Sequence, residues 1–194
     1  MQKGSSAQEE GLCRCSTLYL CISDSTTRAG FHYRHRNMLA SGELTALYND
    51  DCIYTPGVVV FKSDTAAPEM LPEEEWYTVD IISCAAPNLR ANPSNAMNPD
   101  AGSHAVRIRD AELTALHAKR AGRILDIAKE NGAEVVILGA FGCGAFQNPP
   151  EAAAKGIYEA VQQHRKDFQT IEFAVYCSPR DTTNYDVFKS VISN

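Results

Sequence analysis

The stretch that most restricts the fold is a four-residue apolar run, Val135-Val-Ile-Leu138, set between two helical patterns. Before it, Leu113, Leu116, Arg120, Ile124, Ile127 and Ala128 recur along one helical face from about Asp110 to Lys129, and Asn131-Gly132 supplies a stop. After it, Pro149 to Lys166 reads as a second helix, Ile171 to Tyr176 as a strand and Asn184 to Ile192 as a closing helix. A short buried strand bracketed by amphipathic helices belongs in a sheet with helices packed over it. Tyr77 to Cys84 (YTVDIISC) adds a strand whose continuous apolar centre suits a sheet covered on both faces. The expectation is an α/β chain, a three-layer α/β/α fold on a mixed, largely parallel sheet, with residues 1–194 in one domain.

The N-terminal half is less regular. Leu12, Cys15, Tyr19 and Ile22 recur at helical spacing and predict one helix from Ala7 to Ile22. A loop rich in Ser, Thr, Arg and His follows, then a short helix around Glu43 to Tyr48. Ile53-Tyr-Thr55 and Val58-Val-Val-Phe61 read as two strands around a Pro56-Gly57 turn. Ala66 to Glu75 reads as a polar connection.

Charge and cysteine usage narrow the function. A formal net charge of −6 argues against non-specific binding to DNA or RNA. The N-terminus has no apolar signal core and no run is long enough to span a bilayer, so the expectation is a cytoplasmic protein, or a nuclear one in a eukaryote, without membrane partners. The seven cysteines contain no C-x-x-C pair, which predicts reduced thiols. Cys13, Cys15 and Cys21 with His32 and His35 fit no familiar zinc spacing, so no metal is expected.

Directly after Val135 to Leu138 come Gly139-Ala-Phe-Gly-Cys-Gly-Ala-Phe146 and Gln-Asn-Pro-Pro150. Ligands of open α/β sheets bind beyond the carboxyl ends of the strands. Glycines there allow close backbone approach, so amide N–H groups can surround an anion. Asn148 and Glu151 resemble an N-cap and its capping-box partner, which puts Pro149 and Pro150 in the first turn. Prolines carry no N–H, so the donors must come from the loop around Gly142 to Phe146. Phe141 and Phe146 offer flat surfaces for a ribose or a base, and the ligand implied is a nucleotide or its diphosphate. The competing readings are glycines that serve tight packing, and Cys143 as a nucleophile rather than a small loop filler. Gln8-Glu9-Glu10 opens the first helix; its carboxylates suit the helix dipole, or they divide substrate binding and proton transfer between them.

Taken together, Gln8-Glu9-Glu10, Ile81-Ile-Ser-Cys-Ala-Ala-Pro-Asn88 and Gly139 to Pro149 resemble the microbial-type poly(ADP-ribose) glycohydrolases, a branch of the macrodomain fold. The resemblance implies hydrolysis of ribose–ribose glycosidic bonds, with Glu10 as acid and base, Glu9 holding ribose hydroxyls and Gln8 positioning the loop. Gly139, Ala140, Phe141, Gly142, Cys143, Gly144, Ala145 and Phe146 would cradle the diphosphate, with Phe146 against the distal ribose. It implies ADP-ribose, its polymer and ADP-ribosylated proteins as partners, and no cofactor. The family's triple glycine, a few residues before Gln-Glu-Glu, has no counterpart between Met1 and Ala7. The expectation is therefore a chain without the family's N-terminal elements, self-associating through an exposed sheet edge. An ADP-ribose-binding module with impaired catalysis is the alternative reading.

Overall fold

The computed structural model describes residues 8–65, 67–96 and 98–193. The expected helix start at Ala7, the segment Lys3 to Ala7 and the first residue of the polar connection, Ala66, lie outside them.

Two helices replace the single one expected at the N-terminus: α1 (Gln8–Cys15) and α2 (Leu18–Ile22). The interruption is made by tertiary hydrogen bonds. Thr17 N–H donates to the Val59 carbonyl at 3.0 Å, and Val59 N–H donates back to Thr17 Oγ1 at 3.0 Å. Ser16 and Thr17 thus extend the sheet edge instead of continuing a helix. The loop expected next is helical throughout: α3 (Ser25–Thr27), a π-helical turn (Arg28–Tyr33) and α4 (Arg34–Ala40). Asp24 starts it by accepting from the N–H groups of Thr26 and Thr27 at 2.8 and 3.2 Å. Around Glu43 to Tyr48, where a helix was expected, the chain makes turns.

The strands form two pairs. β1 (Cys52–Val60) and β2 (Tyr77–Cys84) are antiparallel; β3 (Val135–Leu138) and β4 (Thr170–Phe173) are parallel. Among the described residues the strands thus form two separate two-stranded sheets, one antiparallel and one parallel, so parallel pairing describes one of the two. Pro56-Gly57 does not end a strand either. It is a bulge within β1, held by Asp80 of β2, which accepts from Gly57 N–H at 2.8 Å and from the Tyr54 hydroxyl at 2.5 Å. β2 is covered only in its second half, since Tyr77 to Asp80 are exposed.

The main core joins α5 (Asp110–Glu130), α6 (Pro150–His164) and α7 (Thr183–Ile192) to β3 and β4. Ala121, Leu125, Ala128, Val136, Ala153, Ile157 and Phe188 are its buried centre. Leu116 and Ile124, expected on the inner face of α5, are only half-buried; His117, Ala121 and Leu125 take that face. Gly156 sets the distance between helices: a Cβ there would lie 2.3 Å from the Thr114 carbonyl oxygen. A smaller cluster of Leu18, Ile22 and Val58 packs α2 on β1.

Arg120 links these parts. Its side chain is fully buried, donating to Asp50 Oδ1 at 3.2 Å, to the Ala85 carbonyl at 2.8 Å and to the Leu47 carbonyl. Burial raises the Asp50 carboxyl, but hydrogen bonds from Lys119 and Arg120 outweigh it and hold the group below its usual range. Arg120→Ala removes three donors and should destabilise the fold by about 3 kcal/mol. Lys119, 72% exposed, touches the same carboxylate, and Lys119→Ala should cost less than about 1 kcal/mol. Denaturant titration of both variants checks the contrast.

Candidate functional site

The first turn of α1 meets the ends of β2 and β3. Gln8 lies over Gly139, the residue after β3: a Cβ on that glycine would stand 3.4 Å from Gln8 Oε1. Ser83, next to last in β2, donates its hydroxyl to Glu9 Oε1 at 3.2 Å. Glu9 is exposed and Glu10 half-buried. Burial, then the charges of Glu9 and Glu10, push the Cys13 thiol up to about 11, which places two carboxylates in one local field. Gln8 and Glu9 are thus brought to the carboxyl ends of β3 and β2, and Glu10 follows them in the first turn of α1.

The glycine segment is a compact loop built on its own backbone. Phe141 N–H bonds the Gly139 carbonyl, Cys143 N–H the Ala140 carbonyl, Gln147 N–H the Gly144 carbonyl and Asn148 N–H the Gly142 carbonyl, all at 2.9 to 3.0 Å. Among the described residues, the N–H groups of Gly142, Gly144, Ala145 and Phe146 have no acceptor within the chain. Gly144 and Ala145 are exposed. Four uncommitted donors in five residues, beside an exposed tip, form a surface suited to an anion. Gly142 makes the turn possible, with φ of +80°; a Cβ there would lie 2.7 Å from Asn148 Nδ2 and 3.0 Å from Ala86 Cβ.

Asn148 is not the N-cap that the sequence suggested. Pro149 occupies that position and helix α6 begins at Pro150, with no side-chain cap. The Asn148 amide turns inward, 3% exposed, and donates to the Pro87 carbonyl at 2.7 Å and the Gly142 carbonyl at 3.0 Å. Its Oδ1 accepts from His117 Nε2 at 3.0 Å. Burial pushes the His117 imidazole down to about 4, overriding the hydrogen bond to Asn148, so the ring is neutral at pH 7. With the cap at Pro149, one proline rather than two lies inside the first turn of α6, and neither Pro149 nor Pro150 carries an N–H.

The two phenylalanines part ways. Phe141 packs on the core, its ring edge-to-face with His117 at 6.0 Å. Phe146 is half-buried between Tyr48, at 6.3 Å between ring centroids, and the Arg90 guanidinium, 5.8 Å from its centroid. Arg90 is held there by Asn88 Oδ1 at 3.2 Å and the Pro93 carbonyl at 2.9 Å. Cys143 also packs on the core, and burial followed by the charge of Glu151 pushes its thiol up to about 12. A thiol so placed is a poor nucleophile. Sequence reasoning missed Ser83, Arg90, Tyr48 and the inward role of Asn148; the pair of prolines after Asn148 was the one available signal, since it displaces the cap. A surface hollow of about 510 Å³ lined by Tyr33, Arg34, Met38 and Glu43 is a separate feature. Among the described residues no three His, Cys, Asp or Glu groups converge as a metal site, and no helix is long and apolar enough to cross a membrane.

Residues 1–63 match the family described as "Microbial-type PARG, catalytic domain". The fold is similar to poly(ADP-ribose) glycohydrolase from Deinococcus radiodurans in complex with ADP-ribose: 27% identity, a TM-score of 0.76, and coverage of 98% of this chain and 69% of that one. It is also similar to the enzyme from Thermomonospora curvata bound to the inhibitor ADP-HPD: 29% identity, a TM-score of 0.74, and coverage of 96% and 63%. The apo form of the Deinococcus enzyme aligns at 26% identity with a TM-score of 0.72, covering 97% and 72%. Among curated sequences nothing matches. The chain therefore has the mixed α/β fold of the bacterial poly(ADP-ribose) glycohydrolases, and its first third matches the model of the microbial-type catalytic domain.

Two outcomes test the loop's construction. Gly142→Ala should lose more than about 1 kcal/mol, from positive φ and from collision with Asn148, whereas Gly144→Ala, with open space around it, should stay within about 0.5 kcal/mol. Thermal melts of both variants decide this. The second outcome concerns His117, whose folded pKa lies below its unfolded value of 6.5. Between those values the unfolded chain binds the extra proton. Stability should therefore be full above about pH 6.5 and fall toward pH 4, by up to roughly 3 kcal/mol. Denaturation curves across that window should show a steeper pH slope for the native chain than for His117→Gln.

Proposed function

We propose that this chain, a relative of the microbial-type poly(ADP-ribose) glycohydrolases, binds ADP-ribose units and hydrolyses the ribose–ribose bonds of poly(ADP-ribose), free or on modified proteins. The observation that carries this reading is the contact of Gln8 with Gly139 and of Glu9 with Ser83, which brings the first turn of α1 to the strand end that leads into a loop with four uncommitted N–H donors. A diphosphate on the N–H groups of Gly142, Gly144, Ala145 and Phe146 would leave one ribose against Phe146 and direct the other toward Glu9 and Glu10. Gly139 and Ala140 supply the loop's base, and Phe141 and Cys143 anchor it in the core. Glu9, oriented by Ser83, would accept from ribose hydroxyls, and Gln8 would hold the α1 turn against Gly139.

Glu10 would carry the proton. As the glycosidic C–O bond breaks, its carboxylic acid protonates the leaving oxygen; the resulting carboxylate then takes a proton from the water that adds to the oxocarbenium-like carbon. The acid is restored and no redox change occurs. The uncommitted loop donors offset the diphosphate charge, so the proposed proton transfer relies on side chains of this chain alone.

Two variants separate binding from chemistry. Glu10→Gln keeps the shape but cannot exchange a proton, so polymer hydrolysis should fall by at least about a hundredfold with ADP-ribose affinity nearly unchanged. Gly144→Val places a branched side chain at the open donor face and should weaken ADP-ribose binding measured by calorimetry. Near-normal turnover in Glu10→Gln would remove Glu10 from the reaction. Equal affinity in Gly144→Val would remove the loop tip from the binding surface.

A further inference from the structure

Outside the candidate site, Cys52 and Cys84 face each other as register partners at the end of the β1–β2 ladder. Antiparallel partners hold their Cα atoms about 4.5 to 5.5 Å apart, within the range a disulfide spans. Both side chains are half-buried, so a small oxidant can reach them while larger thiols are hindered. We propose that this pair is a reversible redox site, oxidised by hydrogen peroxide to a cross-strand disulfide and reopened by a dithiol reductant.

The balance is direct. The Cys52 thiolate attacks the peroxide O–O bond and becomes a sulfenic acid, with one water released; the Cys84 sulfur then displaces the second water as the S–S bond forms. Two thiols are oxidised, one peroxide is reduced, and two waters result. The chemical surroundings fit this order. The thiol partnership with Cys84 holds Cys52 below the ordinary thiol range against the effect of burial, and the charge of Arg123 assists. The same partnership, with burial, raises Cys84, which suits a residue that resolves the sulfenic acid rather than starting the reaction.

The location gives the site consequence. Cys84 precedes Ala85, whose carbonyl binds Arg120, and Cys52 follows the Asp50 that pairs with the same guanidinium. Beyond Ala85, Ala86 and Pro87 contact Gly142 and Asn148. A disulfide would tie the two strand ends that support the glycine loop.

The test uses the full chain, reduced, desalted and dilute, and treated with one equivalent of hydrogen peroxide. Free thiols are then alkylated and the digest is mapped by mass spectrometry. The expected result is a Cys52–Cys84 cross-linked peptide that dithiothreitol reverses and that exceeds any other pairing, including those of exposed Cys21 and Cys177, at least tenfold. In Cys84→Ser, dimedone should trap a sulfenic acid on Cys52; in Cys52→Ser, Cys84 should remain alkylatable. If both thiols of the native chain stay fully alkylatable under a tenfold excess of peroxide, or pair preferentially elsewhere, the proposal is overturned, and this result needs no variant to fold.

Discussion

The inward-facing amide of Asn148 is the interaction on which the site's geometry rests. It joins three stretches far apart in the chain: the exit of β2 through Pro87, the glycine turn through Gly142 and helix α5 through His117. A buried amide left without partners costs about 1 to 3 kcal/mol per group, so these segments are held to one arrangement. Arg120 does the same one turn along α5, fastening Leu47, Asp50 and Ala85. The two buried polar side chains thus set where the strand ends sit relative to the helix behind them.

That scaffold explains the division of labour at the surface. Carbonyls of Gly139, Ala140, Gly142 and Gly144 are paired within the loop, while the N–H groups of Gly142, Gly144, Ala145 and Phe146 have no acceptor among the described residues. Glu9 and Glu10 occupy the first turn of α1, where negative charge is favourable to the helix. Phe146, backed by Arg90 and Tyr48, presents a flat surface at the end of the glycine loop.

Much of the backbone was legible from local pattern. β2 and β3 have the limits expected of them, α5 ends one residue later than read, and α7 begins one residue earlier. Each rests on short-range periodicity, which needs no distant partner. The errors share a different cause. The α1–α2 break at Ser16-Thr17 is made by hydrogen bonds to Val59, the bulge at Pro56-Gly57 by Asp80, and the lost helix near Glu43 to Tyr48 by a backbone already engaged with Asn88 and Arg120. The helical run from Ser25 to Ala40 is the exception: Asp24 was a readable cap, masked by polar composition.

Of the candidate site, the sequence alone determined the chemical inventory: adjacent glutamates at a helix start, and a glycine turn between an apolar strand and a helix that opens with prolines. Those are properties of residue type and spacing. Only tertiary structure decided that Gln8 meets Gly139, that Glu9 meets Ser83, that Phe141 turns inward while Phe146 stays at the surface, and that Asn148 is a strut rather than a cap. The reason is physical. A side chain's direction at a strand end depends on which distant groups need its hydrogen bonds or its volume, and that demand exists only once the chain has closed.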